Sequence, residues 1–163
     1  MKRVILSLTA LAMVAMVFTA CDREEKTNEE LLTISKGWKL KSAISTPEYT
    51  NSDGVTSANL FESWFSTCEL NDVLYFNKSK ATEVKHGCED KKTKQTTGTW
   101  SFQTEDPLVL NFRIHFFEDE DGSPVYSDVD VKELTEEVFK YNYTWENESG
   151  TRYIFTMTYI PAK

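Results

Sequence analysis

From residue 38 to the end, the chain repeats one pattern. Apolar and polar residues alternate with a period of two over short runs, and each run stops at a turn. The first run sets Trp38, Leu40, Ser42 and Ile44 on one face and Lys39 and Lys41 on the other, which predicts a half-buried strand. Residues 46–57, "TPEYTNSDGVTS", have loop composition. "ANLFESWF" then returns to helical spacing, pairing Leu60 with Trp64 and Phe61 with Phe65, and predicts a short helix after the first strand. "DVLYFN" and "ATEVKHG", separated by Lys78, Ser79 and Lys80, read as a hairpin, and "TTGTWSFQ" comes next as a further strand. In "PLVLNFRIHFF", Leu108, Leu110, Phe112, Ile114 and Phe116 share an interior face. After the turn pair Asp121-Gly122 come "PVYSDVDVKE", then "VFKYNYTWE" with Phe139, Tyr141, Tyr143 and Trp145 on one face, and finally "TRYIFTMTYI". Upstream, "NEELLTISKG" predicts a short helix capped by Asn28, with Glu29 and Glu30 in its first turn and Gly37 after its end, placed to close one end of the strand array.

Sequential, hairpin-linked strands, about eight in all, predict an all-β, antiparallel up-and-down barrel, because closure removes the unpaired edges a flat sheet would expose. A sandwich is the alternative, but Greek-key connections need longer crossings. A barrel of about eight strands is just wide enough to be filled by side chains or to hold one small ligand. Aromatic residues make up 13% of the chain, so either outcome is open. Trp38, Trp100, Phe112, Tyr141, Tyr143 and Phe155 could line a pocket for a small apolar or amphipathic molecule, or could simply fill the barrel and leave recognition to the loops. A ligand carrier needs a connected void of about 300 Å³ on the axis.

The first 20 residues obey a different rule. Lys2 and Arg3 precede an uncharged run from Val4 to Ala20, the architecture of a secretory signal, with no basic flank after it to stop transfer. Ala20-Cys21 resembles a bacterial lipobox, in which the cysteine is acylated and becomes the new N-terminus; an ordinary secretory signal with an incidental cysteine is the alternative. The expected organisation is therefore a signal at 1–20, a lipidated tether and short helix at 21–35, and the barrel domain at 36–163. Loss of Lys2 and Arg3 leaves 16 basic against 26 acidic residues, a net charge of −10. Such a surface repels nucleic acid and anionic lipid, which excludes polyanion-binding readings.

With Cys21 assigned to the anchor, Cys68 and Cys88 remain as an even pair in an exported chain, for which a disulfide is the default and a metal pair the alternative. No further ligands at suitable spacing accompany them, so no metal or other cofactor is expected. The two histidines, His86 and His115, fall on predicted strands, His115 on the exterior face. No nucleophile elbow, zinc-binding helix motif or phosphate loop is present, and the acidic residues from Glu118 to Asp121 suit a solvated hairpin tip. A non-enzymatic protein is expected.

Several segments together resemble the lipocalin-like lipoproteins of Gram-negative gut commensals, a calycin-type family. They are "GWKLKSA", "CELNDVLYFNKSKATEV", Cys88 with the later "TGTWSF", "VKELTEEVFKYNY" and the closing "TYIPAK". The resemblance implies a lipocalin-like barrel behind a lipid anchor. Arg23, Glu24 and Glu25, just after Cys21, resemble the surface-export signal of such bacteria. That implies attachment to the outer membrane with display on the cell surface, the periplasmic face being the alternative and "DREEK" then a plain tether. The partners implied are the membrane, through the acyl chains, and a small apolar ligand. A filled barrel acting as a protein- or glycan-interaction module of the envelope is the alternative.

Overall fold

The computed structural model of the chain describes residues 25–51, 54–88, 94–118 and 124–163. The signal run, Cys21, Arg23 and Glu24 lie outside the described residues, as do the tip at 119–123 and the side chain of His115; Glu25 is described and exposed. Chain order is α1 (Asn28–Leu32), β1 (Trp38–Thr50), β2 (Thr56–Asn59), α2 (Leu60–Ser63), a 3-10 turn (Glu69–Asn71), β3 (Val73–Phe76), β4 (Ala81–Lys85), β5 (Gln95–Glu105), β6 (Leu108–Glu118), β7 (Pro124–Leu134), β8 (Phe139–Glu146) and β9 (Arg152–Pro161). All strand pairings are antiparallel, each strand from β3 to β8 pairs with the next, β3 also borders β1, and β9 returns to β1 from Thr46–Ile154 down to Trp38–Pro161. The result is a closed up-and-down barrel of eight strands, compatible with a lipocalin-like fold, with β2 as a ninth strand laid on the far half of β1.

The base of the barrel is closed by α1. A helix of five residues cannot hold itself together in water, and two devices hold this one. Thr27 and Glu30 form a reciprocal capping box, so the cap falls one residue before the expected Asn28. Leu32 is driven fully under the barrel floor, where the Trp38 indole donates to its carbonyl at 2.8 Å. Gly37 does not end the helix, which stops at Leu32; it makes the bend into β1 with φ of +71°.

Two sequence expectations change along β1. A bulge between Leu40 and Ser42 inserts one residue opposite β9, and one extra residue moves every later side chain to the other face. Ala43 and Ser45 therefore point inward and are buried, whereas Ile44, expected inside, is 39% exposed. Residues 46–57 are also not a plain loop. The first strand runs on to Thr50, turns, and pairs back through β2, with Thr50 and Thr56 joined by their hydroxyls at 2.7 Å. The hydrophilic composition reflects a rim hairpin facing water on one side, and its inward residue, Tyr49, packs on Trp64.

The short helix α2 comes directly after β2 and carries Leu60 into the core. The chain from Cys68 to Cys88 is bridged as a disulfide, with the Cα atoms 5.0 Å apart. This bond fastens the 3-10 turn beside β3 to the end of β4, at the rim opposite α1.

Candidate functional site

The inward residues divide the barrel into a filled shaft and an aromatic rim. In the shaft, rings from strands that face each other across the axis are in contact. Phe76 on β3 meets Phe139 on β8 at 5.7 Å and Phe112 on β6 at 5.3 Å. Phe139 packs on Trp38 at 5.7 Å, and Tyr141 touches Phe112 and stacks on Tyr159. Edge-on and offset pairs at such distances are favourable beyond the area they bury. Of the six residues proposed from sequence as pocket lining, Trp38, Trp100, Phe112, Tyr141 and Phe155 are at most 2% exposed and Tyr143 is 6% exposed. The fold brings them together, but as mutual packing partners. A molecule on the axis at this level would have to displace rings.

Within the shaft, Tyr141 holds a hydroxyl that is buried without a hydrogen-bond partner of good geometry. Burial, and then the neighbouring Tyr159 phenol, push its pKa well above the usual phenol range; burial does the same to Tyr159. Both phenols are neutral at any physiological pH. The shaft is thus apolar in effect, with two uncharged hydroxyls at its centre.

At the rim away from α1 the inward faces of β1, β8 and β9 run past the filled shaft and end in a second aromatic group. Tyr49, on β1, sits 4.9 Å from Trp64, 5.2 Å from Tyr153 and 5.9 Å from Trp145. Trp145 and Tyr153 stack at 5.6 Å, and Trp64, just after α2, stacks on Phe155 at 5.8 Å. Tyr143 and Phe155 form the floor, where this group meets the shaft. Tyr49, Trp64 and Tyr153 are half-buried and Trp145 is 37% exposed, so part of this aromatic group reaches solvent. Rings that are partly packed and partly wet are a usual lining of sites for small apolar or amphipathic molecules. Alternation puts Trp145 on the inner face and helical spacing puts Trp64 on the short helix, but neither signal singles them out as a site. Tyr49 and Tyr153 are absent from the residues expected to line a pocket. Tyr49 is one ring in a hydrophilic stretch, and only the β1–β2 hairpin turns it inward.

The disulfide rim holds one titratable pair. Asp72, 6% exposed, receives the backbone N–H of Gly87 at 2.7 Å on one oxygen and lies 3.1 Å from His86 Nδ1 on the other. These contacts cross-link the two ends of the disulfide loop. Among the described residues, no three His, Cys, Asp or Glu side chains are grouped as metal ligands.

These features define a closed antiparallel β-barrel with an aromatic rim, compatible with a ligand-binding barrel. No family model matches the chain, and no curated protein matches it.

Proposed function

We propose that this protein is a non-enzymatic, lipid-anchored barrel that binds a small apolar or amphipathic molecule at its aromatic rim. The observation that carries the reading is the half-exposed group of Tyr49, Trp64, Trp145 and Tyr153 above a shaft already filled by rings. In this reading the ligand rests at the mouth, stacked on aromatic faces, and does not enter the axis. The anchor is acylated Cys21, and Arg23, Glu24 and Glu25 carry the protein to the outer face of the outer membrane. The stretch from Cys21 to Thr27 spans at most about 20 Å when extended, and it leads into α1 at the barrel base. The base then faces the membrane, and the aromatic rim faces away from it.

The test is chemical. Protein purified from its own host membrane, extracted with organic solvent, should release an apolar or amphipathic molecule, and Trp145→Ala with Tyr153→Ala should reduce the yield at least tenfold. Mass spectrometry of the same material should find Cys21 acylated; an unmodified Cys21 peptide removes the anchor from the proposal. The ring-filled shaft favours one second reading, a protein- or glycan-interaction module of the envelope. It takes precedence if nothing is extracted and indole fluorescence does not respond to a panel of amphipathic compounds.

A further inference from the structure

The barrel wall has a gap in its pairing. On one side β1 borders β3 only through Trp38–Leu74 and Lys39–Val73, and it meets β2 only from Ile44–Asn59 onward. Between these points residues 40–43 have no partner strand on that side, and α2 and the 3-10 turn lie over the opening without filling it. A groove of about 650 Å³ remains on the outside of the wall. Its apolar surface comes from Phe61, Leu70, Val73 and Ile160, and its basic residues are Lys39, Lys41 and Lys163; no Asp or Glu side chain lines it. Lys39 is held by a neutral partner, donating to Asn71 Oδ1 at 2.8 Å. Lys41 and Lys163 form no ion pair among the described residues. Of the three, Lys39 and Lys41 stand on β1 itself, beside the gap in its pairing. The nearest acids in sequence turn elsewhere or stay solvated: the Asp72 carboxylate meets the Gly87 N–H and His86, Glu69 accepts from the Ser66 backbone N–H at 2.7 Å, and Glu62 is exposed.

Unpaired cations beside an apolar trough, in a chain of net charge −8, call for a ligand that combines the opposite charge with a hydrocarbon tail. We propose that this groove is a second binding site, separate from the aromatic rim, for a single-chain amphiphile with an anionic head. The tail lies against Phe61, Leu70, Val73 and Ile160, and the head is held between the Lys39 and Lys41 ammonium groups. The proposal does not depend on the rim reading, since the two sites share no residue.

Calorimetric titration of the full chain with straight-chain carboxylates checks it, below their micelle-forming concentrations. Affinity should rise roughly fourfold per added methylene from hexanoate to decanoate, and decanoate should bind at least tenfold tighter than decanol. Lys39→Gln with Lys41→Gln should weaken decanoate at least tenfold and leave decanol unchanged, while Val73→Asp should weaken both. Trp145→Ala should change neither. Equal binding of decanoate and decanol, or decanoate binding that survives both the lysine pair and Val73→Asp, overturns the proposal. Loss of decanoate binding in Trp145→Ala overturns it as well and moves the ligand to the rim. Inorganic phosphate binding as tightly as decanoate would show a simple anion site and also overturn it.

Discussion

The Trp38 indole Nε1 donates to the Leu32 carbonyl at 2.8 Å, and both side chains are completely buried. The surface contacts of α1 are exposed ion pairs and hydrogen bonds, Lys26–Glu136, Lys80–Glu29 and Asn28–Glu105, of a kind that contributes little. The seat of the base helix therefore depends on this buried pair. Trp38→Phe keeps a ring but leaves the Leu32 carbonyl buried and unmatched, which costs about 1–3 kcal/mol. Urea unfolding should show that loss, and ligand binding at the opposite rim should be unchanged.

Gly37 stands directly before that strand with φ of +71°, and a Cβ there would lie 2.6 Å from the Tyr75 ring and 2.7 Å from a Val73 methyl. Gly37→Ala combines a left-handed backbone with a clash against β3. The expected loss is about 2 kcal/mol or more, read by the same unfolding curves. A variant as stable as the parent would mean that β3 can move away at no cost.

The barrel was legible because closure leaves a period-two signal on nearly every strand. Leu110, Phe112 and Ile114, or Phe139, Tyr141 and Tyr143, can be placed by alternation alone, and the structure buries them. The face of Ile44 was not legible, since a bulge has no signature in "KLKSA" and one inserted residue reverses everything after it. The rim was only partly legible for a related reason. Alternation marks inward residues without saying where along the axis the packing stops, so Tyr143 and Trp145 look alike in sequence although one is buried and the other wet. The Cys68–Cys88 pairing was legible because setting Cys21 aside as the expected anchor leaves two cysteines, and the structure bridges them.

That disulfide closes a separation of 20 residues between Cys68 and Cys88. Constraint of the unfolded chain by a loop of this size contributes about 3 kcal/mol. Cys68→Ser with Cys88→Ser should lower stability by that order, and reducing agent should affect the parent but not the double variant. The Asp72 contacts to Gly87 and His86 span the same loop. They should keep it docked in the double variant, and amide exchange at Gly87 is the measurement that reports it.

The two phenols in the shaft set the alkaline limit of the fold. Tyr141 and Tyr159 both have folded-state pKa values raised above the ordinary phenol, chiefly by burial, whereas in the unfolded chain they titrate near about 10. Below that pH both states hold the proton and neither tyrosine makes stability depend on pH. Above it the unfolded state loses protons that the folded state keeps, so stability falls as pH rises toward the folded-state values. The contribution of these two tyrosines to the unfolding free energy should therefore be flat up to about pH 10 and drop beyond it, with tyrosinate absorbance appearing together with the loss of structure. Tyr141→Phe with Tyr159→Phe should flatten the drop. Tyr141→Phe alone should also gain about 1 kcal/mol at neutral pH, because it removes a buried hydroxyl left without a partner. If instead Tyr141→Phe is destabilising at pH 7, the hydroxyl has an effective partner in solution, and its contact with Tyr159 must be counted as a stabilising hydrogen bond.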